Sequence, residues 1–139
     1  MTGNNREAEY ACALMIKDGK VLLGRRAHFR AAYPNCWDVI GGKIEKGEAA
    51  EQALIRELAE EIAVTPRNPS YFRKIEDTHA GAPVSPIYHF FMVCDWLGGD
   101  PIINNHEHSH LAWFTLQQAC DLSNLALPEY RDLFRSALS

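Results

Sequence analysis

The chain predicts an α/β fold in which a mixed β-sheet is covered by helices on both faces. Strand-like runs bounded by turn residues alternate with helical patterns along the sequence. The run 87–97, IYHFFMVCDWL, is apolar on both faces, as a central strand of a covered sheet must be. A long amphipathic helical pattern lies between the early and late strands, over 48–62.

Residues 8–16 form the first expected strand, and Asp18-Gly19 marks a tight turn into a second, Lys20 to Arg26, giving a hairpin. Residues 27–36 read as a loop with Pro34-Asn35 as its turn signal. Trp37 to Ile40 is a short strand running into Gly41-Gly42. Gly47 then precedes the helix, acids occupy its first turn, and TPRNP ends it. At about 100° per residue, Leu54, Leu58, Ile62 and Ile55 make one apolar stripe, bordered by Glu57 and Glu61 with Glu60 further round. Ala50 and Ala53 precede the glutamates by one turn on the same face, where their small size admits other backbone. Glu51 projects into the apolar stripe, against its chemistry.

Two more strands are expected at 70–79 and 87–97, joined by the loop AGAPVSP, and a short one at Leu111 to Thr115. Thr115 suits the N-cap of a short helix. A last helix, Pro128 to Leu138, spaces Tyr130, Leu133, Phe134 and Leu138 for one buried face. No repeat or low-complexity segment interrupts the 139 residues, which suit one domain over 1–139.

Composition bounds the function. Apolar content of 47% and charged content of 23% are ordinary for a soluble globular chain. A net charge of -4 gives no general attraction to nucleic acid or to an anionic membrane, so neither is expected as a partner. The polar N-terminus lacks the apolar segment of a signal peptide, and the apolar run Ala11 to Ile16 is too short to span a bilayer. A cytoplasmic monomer or homodimer is the expectation. Four scattered cysteines without a C-x-x-C pair argue against a disulfide framework or a zinc knuckle.

The chemistry concentrates in Gly41 to Val64. Glu57, Glu60 and Glu61 stand at i, i+3 and i+4, so three carboxylates share a helix face and oppose one another's ionisation unless a cation is near. Such a face is either well solvated or built to hold metal, and its oxygen donors suit Mg²⁺ or Mn²⁺ better than zinc. The Gly-Gly pair at a strand end would let phosphate or metal approach closely. Metal-assisted attack of water on a phosphoanhydride is the matching chemistry.

Gly42, Glu48, Arg56, Glu57, Leu58, Glu60, Glu61 and Val64 also fall at the fixed positions of the Nudix box, and the segment resembles that of the nucleoside-diphosphate-X hydrolases. Ala63 departs from the pattern by replacing the box glycine; Ile40 stands where many relatives have proline. VLLGRRA, Trp37 and Trp113 extend the resemblance over about residues 8–120. The likeness implies a Nudix-type α/β/α sandwich that hydrolyses a small nucleotide substrate, a nucleoside triphosphate first. It implies metal ligation by Glu57, Glu60 and Glu61 with the Gly41 carbonyl, and a supporting ion pair between Arg56 and Glu48. Glu57 is also a candidate for activating water. Glu107 sits where some relatives place a further ligand or base, the alternative being an exposed loop acid.

Around the box, Arg25 or Arg26, one of which should face the site by strand alternation, could clamp phosphate; Arg30 is a further candidate. Trp37 could stack a base or pack in the core. His106, His108 and His110 alternate as transition-metal ligands would on a strand, though a polar loop or edge strand also explains them. Two other functions compete: a nucleotide-binding module without activity, which typically loses box acids, and an isopentenyl diphosphate isomerase, which needs a catalytic cysteine where only Cys36 is near.

Overall fold

The computed structural model describes residues 8–78, 81 and 83–138. The strands are β1 (Glu9–Lys17), β2 (Lys20–Arg26), β3 (Trp37–Asp38), β4 (Ile40–Lys43), β5 (Thr65–Pro66), β6 (Ser70–Glu76), β7 (Ile87–Val93), β8 (Trp96–Leu97) and β9 (His108–Thr115). The helices are α1 (Ala50–Ile62), α2 (Leu116–Cys120) and α3 (Tyr130–Leu138). A seven-stranded mixed sheet holds β1 at its centre. One edge of β1 runs parallel to β7, from Glu9↔Ile87 to Met15↔Val93. On its other edge, β4 pairs antiparallel with Tyr10–Ala13 and β2 with Ile16 and Lys17. β9 pairs antiparallel with the full length of β2.

Alternation along β1 explains the layers. Ala11, Ala13 and Met15 face a core with Leu54, Leu58 and Ile62 of α1. Cys12 and Leu14 face the opposite core, with Ala119 of α2 and Tyr130, Leu133 and Phe134 of α3. Removing each of those leucines from water contributes about 1.5–3 kcal/mol, which fixes the helix positions against the sheet. The α/β/α sandwich read from the sequence is the fold observed.

Several boundaries differ for physical reasons. α1 starts at Ala50 because Glu48 belongs to the preceding turn, its amide donating to the Glu45 carbonyl at 2.9 Å. Ile55 is 38% exposed, and the buried stripe is completed by Ala53, Glu57 and Glu61 instead. Glu51 is solvated, which removes the conflict that its projection posed. The expected strand 37–40 divides into β3 and β4 at Val39, and the expected 87–97 strand ends at Val93. Trp96–Leu97 leaves the main sheet to pair with β5, in the TPRNP segment expected only to end the helix. β9 begins three residues earlier than expected, at His108. Residue 79, the end of the expected 70–79 strand, lies outside the described residues, as does the N-terminal segment 1–7. Thr115 caps α2 as expected, its hydroxyl accepting from the Gln118 amide at 3.2 Å.

Ala63 ends α1 in the left-handed conformation, φ 58° and ψ 38°, the geometry for which a glycine is favoured. Among the described residues no helix is long and apolar enough to cross a membrane.

Candidate active site

β4 passes directly beneath α1, and glycine is what allows it. A Cβ on Gly42 would lie 2.2 Å from the carboxyl carbon of Glu57, and one on Gly41 would lie 2.2 Å from the Ala11 carbonyl oxygen. The box glycines therefore make room for a carboxylate and for the neighbouring strand.

Arg56 organises the helix face. Its Nε and Nη2 donate to the two carboxylate oxygens of Glu48, each at 2.9 Å, while Nη1 donates to Glu57 Oε2 at 2.7 Å. Nη2 also reaches the Lys43 carbonyl at 3.0 Å, which ties α1 to the end of β4. The hydrogen bonds from Arg56, followed by one from the Glu45 amide, hold the Glu48 carboxyl down at about 2. The Arg56–Glu48 pair expected from the resemblance is present, and Glu57 is oriented by the same guanidinium.

Glu61 is the anomaly. It is 1% exposed, and among the described residues neither carboxylate oxygen has a partner at hydrogen-bond geometry. Burial pushes its carboxyl up to about 11, with the adjacent Glu57 and then Glu107 adding to the shift. Unsatisfied buried oxygens are costly and uncommon. Oxygen atoms of Glu57, Glu61 and Glu107 all lie within 4.8 Å of one another. This donor set, two acids from a helix and one from a loop, fits a hard divalent cation.

The position of Glu107 is set by its neighbours. Its Oε2 accepts from Asn105 Nδ2 at 3.1 Å, and its Oε1 lies 3.0 Å from Arg30 Nη1. Glu60, expected as a ligand, is not brought into the cluster. Its side chain is 56% exposed and its nearest cation is Arg56, at 3.5 Å. One hundred degrees of helical rotation from Glu61 carries it to the solvent side.

The histidines part company as well. His108 is buried at the start of β9, with Nδ1 3.6 Å from Glu61 Oε1, whereas His106 precedes the strand and His110 is exposed beside Ser109. Burial, aided by Arg26 and Arg30, drops the His108 imidazole to about 4, so it is neutral at ordinary pH and the contact with Glu61 is not an ion pair. Its ring occupies space left by Gly24, where a Cβ would sit 2.5 Å from Cδ2.

A cleft of about 420 Å³ runs from Glu57, Glu61 and Glu107 to Tyr10, Tyr33, Tyr88 and Tyr130, with Gly41, Gly42 and Lys43 on its wall. At its floor Asp38 is fixed by the Tyr130 hydroxyl at 2.6 Å and by Arg26 Nη1 at 3.2 Å. Burial raises the Asp38 carboxyl despite these bonds. Arg26 therefore faces the cleft but is committed, with Nε also on the Ala32 carbonyl at 2.7 Å. Arg25 does not line the cleft; its Nε donates to the Asn35 carbonyl at 3.3 Å. Trp37 does not line the cleft either; it is half-buried against the second core, edge-on to Phe114 at 4.9 Å between centroids. Sequence reasoning missed Asp38, Tyr130 and the buried state of His108. An acid inside the apolar run CWDVI was the available sign for the first.

The chain is similar to known proteins over most of its length. A family profile described as the NUDIX domain matches residues 6–136. A CTP pyrophosphohydrolase from Escherichia coli is 31% identical over 111 residues, covering 80% of this chain and 78% of the relative. The nucleoside triphosphatase NudI of an Enterobacter species is 30% identical over 118 residues, covering 79% of this chain and 83% of its own. In three dimensions, a MutT NUDIX hydrolase from Burkholderia pseudomallei superposes with a TM-score of 0.80 at 22% identity, over 95% of this chain and 98% of its own. With a box helix that buries Glu57 and Glu61 beside a Gly-Gly strand, and a profile that spans nearly the whole sequence, the chain belongs to the NUDIX family of hydrolases.

Proposed function

We propose that this hydrolase acts on nucleoside triphosphates, releasing inorganic pyrophosphate and a nucleoside monophosphate. Cleavage of a phosphoanhydride bond in a nucleotide is the activity of the family; the choice of triphosphate rests on the cleft and on the relatives. The two sequence relatives are a CTP pyrophosphohydrolase and a nucleoside triphosphatase. The cleft is lined to match, with the acids Glu57, Glu61 and Glu107 and with four tyrosines and a half-buried Asp38. A phosphate chain belongs with the acids and a base with the tyrosines.

The observation that carries the reading is Glu61, buried beside Glu57 and Glu107 with neither oxygen in a hydrogen bond of ordinary geometry among the described residues. A divalent cation bound among these three, Mg²⁺ or Mn²⁺ by its preference for oxygen, would neutralise developing phosphate charge and lower the pKa of a bound water. The chain's own residues do the positioning. Arg56 fixes Glu57, Asn105 fixes Glu107, and Glu57 and Glu107 are the groups placed to take a proton from the attacking water. Glu48 acts through Arg56, and Glu60, on the rim, can reach the site only through solvent. Gly41 and Gly42 keep the wall beneath the acids free of side chains.

The test is a panel of ribo- and deoxynucleoside triphosphates, nucleotide sugars and ADP-ribose with Mg²⁺, reading pyrophosphate and monophosphate release. Pyrophosphate from triphosphates is the expected result, with CTP among the substrates. Turnover confined to ADP-ribose or sugars would overturn the substrate assignment. Full activity in excess EDTA, or in Glu61→Gln, would overturn the assignment of the acid cluster.

A further inference from the structure

Arg30 differs from the other two arginines around the site. Arg56 spends its donors on Glu48, Glu57 and the Lys43 carbonyl, and Arg26 on Asp38 and the Ala32 carbonyl. Among the described residues Arg30 reaches only Glu107, its Nη1 lying 3.0 Å from Oε1 and 3.4 Å from the backbone carbonyl. Its Nε and Nη2 have no hydrogen-bond partner among the described residues. The side chain lines the cleft and is about a quarter exposed. It projects from the loop between β2 and β3, whose ends are pinned: Ala27 N donates to the Glu107 carbonyl at 3.0 Å and Arg26 N to the Cys36 carbonyl at 2.8 Å. A change of partner by Arg30 therefore needs a rotamer change and no loop movement.

Glu107 is prepared for such an exchange. Asn105 holds Oε2 through Nδ2, and its Oδ1 accepts from the Glu107 amide at 3.1 Å. Oε1 is left to Arg30, and Glu107 is also the acid whose oxygens approach Glu57 and Glu61. A divalent cation drawn to that cluster repels a guanidinium on the same carboxylate. The displaced group has three or more free donors in fork geometry at the mouth of a cleft that must receive phosphates.

We propose that Arg30 is a placeholder cation, which neutralises Glu107 until a divalent metal takes that carboxylate and then turns its guanidinium to the phosphate chain of the nucleotide. Arg30 is thus a positioning residue for metal and a binding residue for substrate, and it makes the two ligands bind cooperatively. The proposal rests on the acid cluster being the divalent-cation site.

The experiment measures binding and not turnover. Free Mn²⁺ is titrated by its EPR signal against the metal-free full chain, as wild type, Arg30→Gln and Arg30→Lys. Without the competing guanidinium, Arg30→Gln is expected to bind Mn²⁺ about three- to tenfold more tightly, and Arg30→Lys, which keeps the charge, to resemble wild type. Calorimetry with α,β-methylene CTP and α,β-methylene ATP then reads the second half. At saturating Mn²⁺, Arg30→Gln should bind them about tenfold more weakly. Without metal, the wild type and variant should agree within about twofold, because Arg30 is then held by Glu107. Mn²⁺ affinity that is unchanged or weaker in Arg30→Gln would overturn the placeholder role, since a merely structural contact can only weaken the site when removed. Equal analogue affinities with Mn²⁺ would overturn the phosphate role. Failure of the wild type to bind Mn²⁺ at millimolar concentration would instead remove the metal-site reading beneath both.

Discussion

Replacing Glu61 by glutamine should stabilise the metal-free protein and abolish its response to metal. In the folded chain the Glu61 carboxyl is held up at about 11, against an ordinary value of 4.5, chiefly by burial. Above pH 4.5 the unfolded chain has released this proton and the folded chain has kept it. Stability is therefore greatest below 4.5 and falls by about 1.4 kcal/mol per pH unit as pH rises towards 11. At neutrality the accumulated cost is about 3 kcal/mol, and structural relaxation and water entry reduce it to roughly 1–2 kcal/mol. Glutamine has no proton to keep, and its amide can donate to the neighbouring Glu57. At pH 8 in EDTA, Glu61→Gln is expected to melt about 4–8 °C above wild type, and the gap should close towards pH 5. Adding Mg²⁺ should then reverse the order. A cation at 100 times its Kd contributes about 2.7 kcal/mol to a protein that binds it, and the variant has lost the central carboxylate. Differential scanning fluorimetry at pH 5 and pH 8, with EDTA or Mg²⁺, reads all four conditions. Equal melting temperatures for the two proteins in EDTA at pH 8 would refute the argument from unpartnered burial.

Three further outcomes are expected. Ala63→Gly should raise the melting temperature by about 2–4 °C with activity unchanged: an L-residue in the left-handed conformation costs about 1–2 kcal/mol, less about 0.5–1 for the extra freedom of glycine in the unfolded chain; a lower melting temperature would contradict the cap geometry. Gly42→Ala puts a methyl 2.2 Å from the Glu57 carboxyl carbon, so kcat should fall about 100-fold through misplacement of that acid, with far-UV circular dichroism retained; near-normal turnover would show that Glu57 tolerates displacement. Tyr130→Phe removes the 2.6 Å bond to half-buried Asp38 and should cost about 1.5–3 kcal/mol in urea unfolding, more than an ordinary hydroxyl deletion because the acceptor is a carboxylate; an unchanged midpoint would mean that Asp38 finds another donor.

The acids of the box were legible because Glu57, Glu60 and Glu61 stand within one helix turn of each other, where spacing alone sets their relative direction. The pairing of Arg56 with Glu48 came from the family resemblance, and the structure shows it, with Glu57 held by the same guanidinium. A helical projection placed Glu57 and Glu61 beside the apolar stripe, and both are buried. It included Ile55 in that stripe and gave Glu60 an equal share of the site, because a projection shows direction and not the width of the neighbouring strand. What covers each arc is decided by β4 and by the loop carrying Glu107, elements distant in sequence. The alternation of His106, His108 and His110 was visible, but its meaning depends on where β9 begins and on Gly24 opposite His108. Trp37 was ambiguous for the same reason: an aromatic on a two-residue strand has no periodicity of its own to assign its face.

The carbonyls at the end of α1 bear on how the protein comes apart. Asn104 N donates to the Glu61 carbonyl at 2.8 Å, Ile102 N to the Ile62 carbonyl at 3.2 Å, and Asn104 Nδ2 to Glu60 at 3.2 Å. The strap from β8 to β9 is thus sewn to the helix three residues before Glu107. Because those bonds are few and lie outside the sheet, the strap is expected to detach with the β1–β7 and β2–β9 ladders whole. Such an opening scatters the acids while leaving circular dichroism almost unchanged. Catalytic rate is then a more sensitive thermometer than ellipticity, and activity should fade on heating several degrees before the sheet melts.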